Sequence, residues 1–438
     1  MISKIYYHIQ NAIYKWQSLS LAVLSAANIA ITFIIQLITF NIIGAGDATD
    51  ALFLGLAIPT LFLSVTVTAL NNVLVPMFSG KDKDDVKRIA KTVTLVICGL
   101  GVVITCVLYL SIDLWLPLIA NGFNQQKLEL ARGLTSIQLS VIPLAILYSI
   151  QWSILNGQKR HIEAEMSPAL VNLFLLPILV VLLYKHGVWV IAAAYPIRIL
   201  IQNIFLFMFI GKGYIGVSKV SHSDLILVWR KLKPIMLGSI YYKSEPVIDR
   251  SLLSNTPSGS LSLFFLAQQI YSALSQIIVK AIVTPNIAKM SECYNKNMAD
   301  DFNRIYKQSI LKIIFVLAIT LVLFFLFGEN LSGVILNLKS HGYNSTNQLY
   351  IIMSMLFGSF VGNVLGSLAS SAFYARGNTK TPSYMSMLTY TIYIPVKIYV
   401  FLHFGINGLA ITISVYSLIN RLLLFALYMN KYNPIKVE

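Results

Sequence analysis

The sequence predicts an all-α polytopic membrane protein, with about 12 transmembrane helices in two six-helix lobes related by a parallel repeat. Three observations lead there. The chain of 438 residues is 57% hydrophobic and only 11% charged, with a mean hydropathy of +0.73, far from the roughly 25% charged residues of soluble domains. Its uncharged runs recur at lengths of about 20 residues, enough to cross a bilayer as helix. Its two halves also repeat short motifs in the same order.

Apolar runs bounded by charge or turn residues place the spans. The first, 18–43, follows "MISKIYYHIQNAIYKWQ" and is too long for a signal peptide. The second, 51–79, closes just after Pro76, and the third, 90–112, follows the charged "DDVKRIAK" (84–91). Spans four to six cover 134–157, 164–184 and 188–210. A basic loop from Lys212 to Lys233 leads into the seventh, 232–254, which alone carries a cluster of charges. The eighth, 260–284, ends before Pro285, and the ninth, 310–328, follows "DDFNRIYK" (300–307). Spans ten to twelve cover 348–373, 383–403 and 406–429.

Lysine and arginine then set the orientation. Most of the 33 fall on connections that share a side with the N-terminus, and only Lys127, Arg132, Lys185 and Lys339 fall on the opposite loops. By the positive-inside rule both termini are cytoplasmic, and the loops at 80–91, 211–231 and 285–309 lie on that side. The same rule accounts for the net charge of +16 without nucleic acid. Cys98, Cys106 and Cys293 form no CxxC pair and suggest neither a metal site nor a disulfide framework.

The repeat is specific. "DDVKRIAK" and "DDFNRIYK" share both aspartates, Arg, Ile and Lys, while "PILVVLLYKHGVWVIA" (177–192) aligns without gaps on "PVKIYVFLHFGINGLA" (395–410). An even number of spans per half means both halves enter the membrane in one direction, a plan that puts a substrate site near midplane between lobes that rock. The expected division is an N-terminal lobe at 1–215, a cytoplasmic linker at 216–231 and a C-terminal lobe at 232–438.

The sequence contains no phosphate-cradling P-loop, no H-E-x-x-H zinc helix and no G-x-S-x-G elbow, so no enzyme and no ATP-driven pump is expected. What remains is charge inside the membrane, costing about 2.5 to 3.5 kcal/mol per group at bilayer centre unless a partner or wet cavity receives it. "KSEPVIDR" (243–250) holds four such groups. On one helix Lys243 and Arg250 share a face and Glu245 and Asp249 nearly the opposite one. The cations suit an anionic ligand, with the acids bracing or gating them, and Pro246 removes a helical hydrogen bond and favours a kink. The competing reading is a structural helix whose charges are neutralised by its neighbours. Arg198, Lys397 and Arg421 are further in-membrane cations, Lys280 and Lys312 read as snorkelling span ends, and Asn28 and Gln36 as glue between helices.

"GAGDATDALFLGLAIPTLFLSVTVTALNNVLVPMF" (44–78) resembles the signature of the MurJ/MviN lipid-linked saccharide flippases of the MOP exporter superfamily. "IDRSLLSNTPSGSLSLFFLAQQI" (248–270) is similar to that family's junction of spans seven and eight, and "FYARGNTKTP" (373–382) to its loop between spans ten and eleven. The resemblance implies a flippase for polyprenyl-pyrophosphate-linked saccharides in a bacterial inner membrane. Asp50 and the Asp249–Arg250 pair of the family's pattern are kept. The chain departs from the family's cavity arginines: span one has none, span two reads Pro59-Thr60-Leu61, and span eight reads Ala267-Gln268-Gln269. Twelve spans are also two fewer than lipid II flippases usually carry, which admits capsule, O-antigen or teichoic-type glycans as cargo.

The expected function is therefore alternating-access translocation of a lipid-linked saccharide, lipid II-like or a surface-polysaccharide repeat unit. Lys243, Arg250, Arg198, Lys397 and Arg421 are the candidate substrate cations, and Asp50, Glu245, Asp249 and Pro246 the bracing or gating residues. No cofactor is expected, and coupling to an ion or the membrane potential is compatible with this reading. The expected partners are the lipid-linked glycan, the bilayer, and a glycan polymerase or glycosyltransferases. The alternatives are a multidrug or cation antiporter of the same superfamily, which would need an acidic cavity, and a non-transporting scaffold for glycan assembly.

Overall fold

The computed structural model describes the backbone of residues 2–211, 213–216, 221–336 and 338–432, and side chains from residue 20 onward except 234, 237, 288 and 338–344. Residues 217–220 of the expected linker lie outside the described residues. In a bilayer the chain must satisfy its own backbone groups, and it does so as helix. In chain order these are α1 (Ile2–Ile43), α2 (Asp47–Phe78), α3 (Lys83–Leu110), α4 (Gln125–Gly157), α5 (His161–His186), α6 (Val188–Ile210), α7 (222–253), α8 (Ser260–Asn295), α9 (Ala299–Leu336), α10 (Leu338–Ala375), α11 (380–404) and α12 (406–432). A short helix, Ile112–Ile119, lies between α3 and α4.

Among the described residues ten helices are long and apolar enough to cross a membrane. The expected twelve follow from two details. The last of the ten, Lys380–Tyr432, is turned at Gly405 (φ 58, ψ −144) into α11 and α12. The seventh span falls outside the ten because it is interrupted at Ser244 and carries the charged cluster.

Gly405 also carries the clearest trace of duplication. In the ungapped alignment it faces Gly187, which joins α5 to α6 with φ 58 and ψ −141. Side-chain-bearing residues avoid this backbone region, so both halves keep glycine at one strained corner. The paired charged motifs agree: Asp85 and Arg88 bridge at 3.1 Å, and Asp301 and Arg304 at 2.6 Å, each three residues apart at the head of a helix.

Interruptions follow prolines. The helices break at Leu56, Ser140 and Ser244, just ahead of Pro59, Pro143 and Pro246, each of which lacks the N–H that would close the preceding turn. Two π-helical turns, Thr94–Cys98 in α3 and Val279–Val283 in α8, add further irregularity.

Packing divides the chain into Met1–Asn255 and Thr256–Glu438. The first unit thus holds α1 to α7 and the second α8 to α12, whereas the sequence repeat puts the seventh span at the head of the second lobe. The attachment of α7 has named causes. Arg88 on α3 pairs with Asp224 at 3.0 Å, the Ser221 amide donates to the Thr92 hydroxyl at 3.3 Å, and Lys243 reaches α2. Tyr214, buried in the connection before α7, takes a hydrogen bond from Gln158 at 3.0 Å.

Candidate functional site

The "GAGDATDA" motif builds the start of α2. Gly44 adopts φ 88, the Gly46 amide donates to the Thr49 hydroxyl at 3.0 Å, and that hydroxyl donates to the Gly44 carbonyl at 2.9 Å. The turn drives Asp50 inward until it is 1% exposed, where Lys127 of α4 meets it at 2.8 Å. Lys127 also pairs with Asp47 at 2.8 Å and lies over the Phe123 ring at 4.4 Å. Asp50 therefore braces α2 against α4. Its counterion is a residue the sequence reading left among the loop charges.

In α7 the break at Ser244 separates the two cations of "KSEPVIDR". Lys243 ends the first half and donates to the Ser64 carbonyl and, at 3.0 Å, to the Thr68 hydroxyl, both on α2. Glu245 and Pro246 open the second half, where a proline fits because first-turn amides have no helical acceptor. Asp249 and Arg250 are buried on that half. Arg250 is close enough to Tyr195 of α6 for their charges to interact. The two cations thus meet different helices.

Arg250 instead shares a neighbour, Tyr195, with Arg198. The Arg198 guanidinium lies over the Tyr195 ring at 5.2 Å, and its Nε is buried with no hydrogen-bond partner among the described residues. Tyr148 of α4 stands within electrostatic reach of both Arg198 and Glu165 of α5. Glu165 accepts from the Trp152 indole at 3.3 Å and from the Ser25 hydroxyl at 3.5 Å. The first unit therefore carries an in-membrane series: Arg250, Tyr195, Arg198, Tyr148, Glu165. Tyrosines interleaved with guanidiniums offer cation–π support while leaving N–H donors for an anion. Glu165 and both tyrosines escaped the sequence reading, although an acid inside span five was a visible signal. Asn28 accepts from Asn172 at 2.7 Å and acts as interhelical glue.

The second unit repeats this chemistry. Lys397 on α11 is 1% exposed, with its ammonium 4.8 Å from the Tyr393 ring, which stacks on Tyr416 at 3.9 Å. Tyr416 and Tyr374 in turn interact with Arg421 of α12. Arg421 lies against Gly366 so closely that a Cβ there would collide with its guanidinium. Gly366 ends the stripe Gly358, Gly362, Gly366, and Ser414, Ser417 and Arg421 of α12 pack against those three positions. This is a small-residue seam of the G-x-x-x-G kind, legible in "GSFVGNVLG" yet unused by the sequence reading. The Arg421 Nε, like that of Arg198, is buried without a hydrogen-bond partner among the described residues.

The family profile described as lipid II flippase MurJ matches residues 40–436. A probable lipid II flippase MurJ of Buchnera aphidicola subsp. Schizaphis graminum is 25% identical over 404 residues, covering 88% of this chain and 77% of the relative. Among solved structures, a lipid II flippase MurJ in an inward closed conformation superimposes with a TM-score of 0.82 at 18% identity, covering 94% of this chain and 88% of the other. An inward-facing multidrug resistance MATE family transporter of the MOP superfamily reaches 0.79 at 15% identity, covering 93% and 96%. At these identities the structural likenesses establish a shared fold, and the profile, spanning nearly the whole chain, separates flippase from drug transporter: the chain belongs to the lipid II flippase MurJ family.

Proposed function

We propose that the protein translocates a polyprenyl-pyrophosphate-linked saccharide, lipid II or a close chemical relative, across the bacterial cytoplasmic membrane. The relatives named above are lipid II flippases, and that name supports the cargo. Alternating exposure of the site to the two sides of the membrane, without ATP hydrolysis, moves the headgroup, and both termini lie on the cytoplasmic side where lysine and arginine concentrate. A glycan polymerase or glycosyltransferase working on the same lipid is the expected neighbour.

One observation carries the reading. Arg198 sits inside a membrane span with its Nε buried and without a hydrogen-bond partner among the described residues, and Arg250 lies near the same tyrosine. A buried guanidinium donor without an acceptor is costly, and a pyrophosphate removes that cost by accepting at two points. Arg198 and Arg250 are the primary headgroup cations in this scheme, and Lys397 and Arg421 serve a second station in their own unit. Lys243 holds α7 to α2, while Asp50, Glu245, Asp249 and Pro246 brace or reshape the elements that carry the cations. Expression in a bacterium depleted of its own lipid II flippase tests the proposal: the wild type restores growth and Arg198→Ala does not at equal membrane abundance. Growth restored equally by both would refute the assignment of Arg198.

A further inference from the structure

The second unit contains a polar face that the cation clusters leave unexplained. Gln269, Ser272, Gln276 and Lys280 recur along α8 at spacings of three, four and four residues, which puts them within an arc of roughly 80° at the helical pitch. The side of α8 opposite this arc is the packed one. There Tyr271 donates to the Met353 carbonyl at 2.8 Å and stacks on Phe360, while Phe264, Ala267 and Ile278 are buried.

The arc itself is open: Ser272, Gln276 and Lys280 are exposed and Gln269 partly so. An open face in a membrane chain meets either lipid or water, and α9 of the same unit shows what a lipid-facing surface looks like here. Over residues 313–328 its exposed side chains, among them Phe315, Ile319, Val322 and Leu326, are all apolar. Two amides, a hydroxyl and an ammonium aligned on one face of α8 are the reverse pattern, and α8 has the lowest hydropathy, 1.3, of the ten candidate spans. Turning these groups to hydrocarbon would leave most of their donors and acceptors unsatisfied. The stripe therefore faces water. Gln276 already donates to Ser272 at 3.2 Å, which orients its amide. Lys280 projects from the π-helical turn Val279–Val283, an irregularity that often marks a functional position.

We infer that this stripe is a saccharide track, with Gln269, Ser272 and Gln276 hydrogen-bonding sugar hydroxyls and Lys280 taking an anionic group of the same headgroup. The inference rests on the flippase reading above. A primary amide offers donor and acceptor together and so matches neighbouring hydroxyls, which both donate and accept. The track runs about 16 Å along α8, from Gln269 to Lys280, at the rise of an α-helix. It supplies recognition of the glycan, which phosphate ligands alone do not.

The test uses the full chain in proteoliposomes and two labelled lipids, a polyprenyl pyrophosphate bearing a disaccharide and the same lipid without sugar. Gln269→Met and Gln276→Met keep side-chain length and lose the hydrogen bonds. Each should raise the glycolipid concentration for half-maximal transport about fivefold, the ordinary worth of one hydrogen bond, and leave the sugar-free lipid within about twofold. Lys280→Met should weaken both lipids. Equal effects on the two lipids from the glutamine variants would overturn the saccharide track. So would unchanged transport with raised thermal stability, since that marks a lipid-facing helix. A wild type that moves neither lipid would bring down the flippase reading itself, and the track with it.

Discussion

Lys127 and Asp50 form a buried ion pair, 2.8 Å apart and 8% and 1% exposed, that ties the start of α4 to the start of α2. Deleting one partner strands the other charge, at a cost of about 3–5 kcal/mol. Lys127→Met should therefore lower the melting temperature of the purified protein sharply. Lys127→Met combined with Asp50→Leu should recover most of that loss, as read by a double-mutant thermal-unfolding cycle.

Arg198 and Arg250 should separate function from folding. Arg198→Ala removes a guanidinium whose Nε bonds nothing described, so membrane abundance should stay within about twofold while transport falls at least about tenfold, the worth of one charged hydrogen bond. Arg198→Lys should retain only part of the activity, because a point charge replaces a two-point fork. Quantitative immunoblotting beside a transport assay reads both numbers.

Gly366 and Arg421 predict a compensating pair. Gly366→Ala drives a methyl into the guanidinium, and overpacking of this kind costs about 1–3 kcal/mol. Adding Arg421→Ala reopens the space. The double variant should regain thermal stability but not transport, since the cation is gone.

Gly187 and Gly405 share a backbone corner at φ 58, so alanine at either should cost a similar amount, about 1–3 kcal/mol. Unequal costs, measured by thermal unfolding of the two single variants, would mean that the two corners are held differently by their surroundings.

The spans, their order and the duplication were legible because they depend on runs and spacings within the sequence. Even the corner at Gly405 was visible, as the glycine aligned with Gly187. What sequence periodicity could not supply was the partner of each charge. Lys127 looked like a loop lysine because nothing local marks its ion pair with Asp50, 77 residues away. Lys243 and Arg250 share a face of a continuous helix, yet the break at Ser244 lets the first reach α2 and the second sit near Tyr195 of α6. Glu165 was readable as an in-span acid, but its indole, hydroxyl and tyrosine neighbours come from other helices and exist only once the unit is packed.

Transport of labelled lipid II by the purified protein in proteoliposomes, with Arg198→Ala and Arg250→Ala measured beside the wild type, tests the central claim most directly. The account predicts that the wild type moves the headgroup across the bilayer and that either variant, folded and equally reconstituted, loses at least about tenfold of that rate. Full transport by the variant lacking both arginines would contradict it.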